Sequence, residues 1–107
     1  MSDIQLTFLE KENDLNKVLR NQKKTKSSAS ILFVSLWDKW CGRLVKDLKE
    51  KYGSSTEGHQ VFIVDSFRMP HAFVIFRSTK LPHLVKLRKD RVHSVDYLPQ
   101  IYKNLSV

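Results

Sequence analysis

The chain has 107 residues, 41% of them hydrophobic, and a formal net charge of +8. This length fits one domain over residues 1–107, and the apolar fraction excludes a disordered chain. No apolar stretch approaches the roughly 20 residues of a membrane-spanning helix, and the first residues do not resemble a secretory signal. We therefore expect a soluble, intracellular, cytoplasmic protein with no membrane association.

The first quarter of the chain predicts a strand, a helix and a loop. Residues 4–8 alternate apolar and polar side chains, which indicates a short strand. Residues 15–19 place apolar side chains on one helical face, in a helix expected to end near Gln22. Residues 23–30 are polar and predict a mobile loop.

A central strand and a second helix follow. Residues 31–37 form a nearly continuous apolar run, which is typical of a strand covered on both faces, so Trp37 is expected in or near the core. After Cys41, the apolar residues up to Tyr52 share one helical stripe, and Gly53 is a candidate cap for the end of that helix.

The second half of the chain predicts three strands and a helix. Residues 61–64 and 72–76 are short apolar runs, and residues 83–89 alternate like an edge strand with charges facing water. Apolar residues from 95 to 105 recur at helical spacing. The predicted order is β-α-β-α-β-β-β-α, which gives an α/β fold with a mixed central sheet flanked by helices.

Basic residues concentrate between positions 68 and 91, where Asp90 is the only acidic residue. The basic ones are Arg68, Arg77, Lys80, Lys86, Arg88, Lys89 and Arg91. A field of this sign favours acidic partners, whether protein, nucleic acid or anionic lipid. The alternative is a solubilising surface on a lysine-rich protein. No nucleic-acid-binding motif is present, so nucleic acid is not expected as a partner.

The order of elements and the residues around Cys41 resemble thioredoxin. In that family a central apolar strand leads to a tryptophan-cysteine-glycine-proline-cysteine motif that opens a helix, and residues 37–42 are similar to the approach to it. Met69 and Pro70, ahead of an apolar run, resemble the family's cis-proline. The resemblance covers nearly the whole chain and implies a thioredoxin-like fold.

The departures from the thioredoxin pattern concern the chemistry. Arg43 stands where the family has proline, Leu44 where it has the second, resolving cysteine, and Ser35 where it has a buried acidic residue. Only four residues separate Asp65 from Pro70, which implies a shortened domain without the helix before the cis-proline.

Cys41 is the only cysteine, so it cannot form an internal disulfide. At a helix N-terminus the backbone N–H groups, together with Arg43, would lower the thiol pKa and make Cys41 a candidate catalytic nucleophile. Without a resolving cysteine, the cycle needs an external thiol such as glutathione. Free cysteine also packs as a small hydrophobe, which leaves a non-catalytic module open.

Two functions therefore remain from the sequence. The first is a non-catalytic protein-interaction module that uses the surface around Trp40, Cys41 and Pro70, and its further binding residues are Gly42, Arg43 and Met69. The second is a monothiol redox protein in which Cys41 forms mixed disulfides. We expect no cofactor and a monomer, with a Cys41-linked dimer open under oxidation.

The four histidines lack the spacing of metal ligands, so no metal site is predicted. His59, His83 and His93 are expected at the surface. His71 follows Pro70 and is a weaker candidate for an acid–base group near Cys41.

Overall fold

The computed structural model describes residues 3–75, 80–88 and 91–107. The strands of this part of the chain are β1 (Ile4–Phe8), β2 (Ala29–Val34), β3 (His59–Asp65), β4 (His83–Arg88) and β5 (Arg91–Val95). Its helices are α1 (Glu12–Thr25), α2 (Lys39–Tyr52), α3 (Pro70–Ile75) and α4 (Leu98–Asn104). Within the described ranges, no helix combines the length and the apolar character that spanning a bilayer requires.

The strands form one mixed sheet in the order β1-β3-β2-β4-β5. β1 and β2 both pair with β3 in parallel, whereas β4 runs antiparallel to β2 and to β5. All six residues of β2 are buried, as the continuous apolar run predicts for a strand covered on both faces. The α/β class and the mixed sheet flanked by helices are confirmed.

Each face of the sheet carries its own apolar cluster. The cluster under α2 and α4 includes Leu32, Cys41 and Leu44, and we call it the α2/α4 cluster. The cluster under α1 and α3 includes Phe33 and Met69, and we call it the α1/α3 cluster. Alternate residues of β2 face opposite sides of the sheet, so neighbours such as Leu32 and Phe33 enter different clusters.

Helix α1 is longer than predicted. It continues to Thr25, whose Oγ1 donates a hydrogen bond to the carbonyl of Asn21 (2.8 Å). Lys26 then ends the helix in a left-handed conformation, with φ 56°, and donates its N–H to the carbonyl of Gln22. The residues predicted as a loop from 23 to 30 therefore belong mostly to the end of α1 and the start of β2.

The prediction of a strand at 72–76 is wrong for the described residues, which form the short helix α3. Pro70 suits the first position of a helix because its fixed φ is helical and its missing N–H would be unpaired there. The Glu12 carboxylate also accepts a hydrogen bond from the backbone N–H of His71 (3.2 Å). An apolar run this short fits a buried helix as well as a strand, and here the contacts with α1 select the helix.

Two further corrections follow from the observed order, β-α-β-α-β-α-β-β-α. A helix does lie between β3 and β4, so the prediction of a missing helix is wrong. β4 is also not an edge strand, because β5 (Arg91–Val95) pairs along it and forms the edge instead. The predicted features at residues 76, 77, 89 and 90 lie outside the described residues.

Candidate functional site

The candidate site lies at the end of the sheet where β2 and β3 finish. Because these strands are parallel, the segments that follow them, residues 35–38 and 66–69, emerge side by side. The Ser66 N–H donates to the carbonyl of Val34 (2.9 Å) and ties the two segments together. Phe33 pairs with His83 at the start of β4, which brings Leu81 and Pro82 to the same end of the sheet.

The cis peptide bond of the described chain joins Leu81 to Pro82, so the prediction of a cis bond between Met69 and Pro70 is wrong. Met69 is fully buried in the α1/α3 cluster, on the face of the sheet opposite Cys41. Pro70 is exposed at the start of α3. The cis-proline that directly precedes a strand is therefore Pro82. It lies before β4, next to the end of β2.

The start of α2 is fixed by Asp38, which caps the helix. Its Oδ2 accepts a hydrogen bond from the backbone N–H of Cys41 (3.0 Å). Capping by an aspartate satisfies an N–H group that has no partner within the helix. Cys41 is consequently the third residue of α2, inside its first turn.

The thiol of Cys41 is sealed from solvent. Its residue is 0% exposed and packs in the α2/α4 cluster with Leu44, Val45 and Leu48. Burial raises the pKa of Cys41 to about 11, outweighing a backbone hydrogen bond from Ser35 that lowers it, and the Asp38 carboxylate raises it further. The expectation of a lowered thiol pKa is therefore wrong, because desolvation of the thiolate exceeds the stabilisation at the helix N-terminus.

Arg43 is exposed and its charge acts elsewhere. Burial and Asp47 raise the pKa of Tyr102, and the charge of Arg43 lowers it by less. Tyr102 donates a hydrogen bond from its hydroxyl to Asp47 Oδ2 (3.0 Å), one helical turn beyond Arg43. No effect of Arg43 on the thiol is found, so it does not provide the positive charge expected beside Cys41.

Several large apolar side chains are exposed to solvent at this end of the sheet. Trp37 is 83% exposed, Phe67 75%, Trp40 52% and Leu36 49%. The rings of Trp37 and Phe67 lie 6.5 Å apart and are tilted by 57°. We call these four residues the apolar patch. The expectation that Trp37 packs in the core is wrong, since β2 ends at Val34 and the chain turns outward before α2.

Basic groups accompany the apolar patch. The Lys39 ammonium lies 5.6 Å from the centre of the Trp40 ring, within reach of a cation–π interaction. Gly42 is partly exposed in the next turn of α2. A groove of about 200 Å³ continues from Leu36 past Phe8, and its lining holds Lys49 and Arg68 together with the carboxylates of Glu10 and Asp65. The patch therefore combines aromatic faces with the ammonium group of Lys39, while the adjoining groove carries charges of both signs.

The histidines lie away from Cys41 or inside the fold. His71 is exposed at the start of α3, whereas His83 is 7% exposed and stacks on Phe33 with ring centres 5.9 Å apart. The prediction of a surface histidine is therefore wrong for His83. Among the described residues, no group of histidine, cysteine and acidic side chains has an arrangement that would hold a metal ion.

Sequence reasoning missed Leu36, Phe67 and Pro82 at this end of the sheet. An aromatic residue inside the polar turn after β3 was an available signal for Phe67. A proline directly before an alternating strand was the corresponding signal for Pro82. Exposure itself had no sequence signal, because Trp37 continues the apolar run of β2.

No protein-family model matches this sequence, and no curated protein matches it at a significant level. Solved structures do match its fold. A thioredoxin of Schistosoma mansoni superposes with a TM-score of 0.74 at 16% identity, over 95% of this chain and 94% of that one. A thioredoxin of Nicotiana alata gives 0.75 at 13% identity, over 99% and 94%. A thioredoxin of Plasmodium falciparum gives 0.72 at 18% identity, over 97% and 85%. These likenesses, together with the mixed sheet flanked by helices, show that the chain has the thioredoxin fold.

Proposed function

We propose that this protein is a non-catalytic interaction module of thioredoxin fold that binds a protein or peptide through its apolar patch. The observation that carries the proposal is the exposure of Trp37 and Phe67, at 83% and 75%, at the end of the sheet where α2 begins. Large exposed apolar surfaces mark interaction sites in folded proteins. Tryptophan in particular is enriched among the residues that dominate binding energy.

The state of Cys41 supports binding over redox chemistry. Disulfide exchange requires that the thiol is ionised and that its sulfur is accessible to the substrate disulfide. The thiol of Cys41 is fully buried, and its pKa is raised to about 11. Leu44, in place of a second cysteine, is also fully buried and packs against Cys41 in the α2/α4 cluster. Both residues therefore serve the core in this proposal, and the monothiol alternative has less support.

The charges around the patch indicate the kind of partner. Lys39 lies over the Trp40 ring, and Lys49 lies 4.9 Å from the centre of the Phe8 ring beside the groove. A partner that places apolar side chains on the rings and carboxylates near these ammonium groups would satisfy both features. Because Glu10 and Asp65 line the groove beside Lys49, the proposed partner is a protein or peptide segment with apolar side chains for the rings and a carboxylate for Lys39.

A peptide-display selection on the immobilised protein tests this proposal. Both tryptophans of the sequence, Trp37 and Trp40, lie in the patch, so intrinsic fluorescence reports directly on its occupation. Selected peptides should shift tryptophan emission to shorter wavelength on binding. Trp37→Ala should weaken binding by about tenfold or more, as expected for a central aromatic contact.

Two variants serve as controls. Val92→Ala removes a side chain of similar exposure, 65%, on edge strand β5, and should leave affinity unchanged. Cys41→Ala should also retain binding, under both reducing and oxidising conditions. Selected peptides that bind only through a disulfide to Cys41, or that ignore Trp37→Ala, would overturn the proposal in favour of the monothiol alternative or of another surface.

A further inference from the structure

A polar pocket lies at the opposite end of the sheet from the apolar patch, where β2 and β3 begin. It has a volume of about 300 Å³ and lies between the sheet and the end of α4. Its polar lining consists of Ser30, His59, Lys86, Arg88, Asn104 and Ser106. Ile4 and Leu105 complete its walls.

Strand register explains why these polar groups converge. Ser30 pairs with Lys86 across β2 and β4, and both share the face on which Leu32 and Leu84 enter the α2/α4 cluster. Side chains two residues apart on a strand point to the same face, so Arg88 lies on this face too. Lys86 is partly exposed and Arg88 is exposed, so the two cations extend the core-lining row of β4 to the surface at this end of the sheet.

The pocket holds positive charge without a carboxylate in its lining. Lys86 donates a hydrogen bond to Asn104 Oδ1, and within the described residues neither Lys86 nor Arg88 forms an ion pair. Ser30 Oγ and His59 Nε2 share a hydrogen bond of 2.8 Å. His59 lines the same pocket as Lys86 and Arg88. Burial lowers the pKa of His59, and the charges of Arg88 and Lys86 lower it further.

We propose that this pocket binds a phosphate group, either as inorganic phosphate or as the phosphoryl group of a small monoester. The Arg88 guanidinium and the Lys86 ammonium offer hydrogen bonds in several directions around one small anion, and the hydrogen-bonded pair of Ser30 and neutral His59 leaves one further donor. A tetrahedral dianion uses such a set more fully than a planar carboxylate, which accepts through two oxygens only. This site is separate from the apolar patch and does not depend on the proposed peptide binding.

Titration of the full chain with inorganic phosphate, followed by amide and histidine NMR signals at constant ionic strength, tests the proposal. We expect saturable shifts at Ser30, His59 and Lys86, and a rise in the pKa of His59 when phosphate is bound. O-phosphoserine in a parallel titration distinguishes a free anion from a monoester. Either ligand, bound at these residues, supports the site, whereas acetate at the same concentration should not saturate it.

Matched variants give the deciding comparison. Arg88→Gln should raise the dissociation constant for phosphate by about tenfold, the loss expected for a charge-assisted hydrogen bond. Arg20→Gln removes the same charge from an exposed position on α1, on the other face of the sheet. It should change the dissociation constant for phosphate by less than about twofold, because distant charges are screened. Equal weakening by both variants, or no saturation with phosphate and O-phosphoserine, would overturn the proposal. Neither result would bear on the apolar patch.

Discussion

Alkylation of Cys41 by iodoacetamide measures how strongly the fold suppresses thiol chemistry. The sequence has one cysteine, so every label in the folded or unfolded chain reports on this residue. The reagent attacks the thiolate. The rate therefore depends on the fraction of Cys41 that is ionised and on how often the buried sulfur is exposed.

Both factors slow the reaction in the folded protein. The pKa of Cys41 is raised to about 11, against about 8.5 for a free thiol, so at neutral pH the folded chain holds at least about 100-fold less thiolate than the unfolded chain. The residue is also 0% exposed, so reaction requires local or global opening of the core. At neutral pH we expect alkylation at least about 100-fold slower in buffer than in concentrated urea.

The assay is a quenched time course of labelling, read by intact mass, across a pH series in buffer and in urea. In buffer the alkylation rate should keep rising well above pH 9. In urea the plot of rate against pH should have its inflection near the pKa of a free thiol, about 8.5. Cys41→Ser is the control and should take up no label. Folded and unfolded rates within about threefold at neutral pH, or an inflection well below about 8.5, would refute the burial argument and restore the redox hypothesis.

Three further predictions concern stability and pH. Asp38→Ala should lower the free energy of unfolding by about 1 kcal/mol in urea denaturation because it removes the cap of α2, whereas Asp38→Asn should retain most of it; equal losses would contradict the capping role. Leu44→Ala should cost about 2–5 kcal/mol in the same assay because Leu44 is fully buried, and a loss below about 1 kcal/mol would show that the core does not depend on it. In the folded chain, burial lowers the pKa of His59 below 6.5, so the unfolded chain binds a proton first as the pH falls. The free energy of unfolding is therefore highest above about pH 6.5 and decreases on acidification. His59→Gln should flatten this dependence between neutral and mildly acidic pH, and an unchanged profile would contradict it.

Patterns that depend on neighbouring residues were predicted well. The alternation in residues 4–8, the apolar run at 31–37 and the stripe of α2 each identify an element that the structure contains. β2 begins two residues before that apolar run and ends three residues before its end. These signals are local, because the period of apolar residues is set by the geometry of the strand or helix itself. The boundary of α1 was less accurate, since the left-handed Lys26 that ends it has no strong sequence signal.

Features that depend on distant contacts were not predicted. The apolar residues from Ala72 onward fit a strand or a helix equally, and packing against α1, with Glu12 at the N-terminus of α3, decided for the helix. Residues 91–95 lack an apolar rhythm, and pairing with β4 makes them a strand. In both cases the partner lies elsewhere in the chain.

By itself the sequence determined the α/β class, the strand-to-helix junction at residues 35–41 and the absence of a second cysteine. Tertiary structure alone decided the fate of the side chains at that junction. The cap at Asp38 places Cys41 inside the first turn of α2, where it is buried, while the end of β2 at Val34 leaves Trp37 in water. The physical reason is that exposure and ionisation depend on what packs against a side chain, which residue type and spacing do not specify.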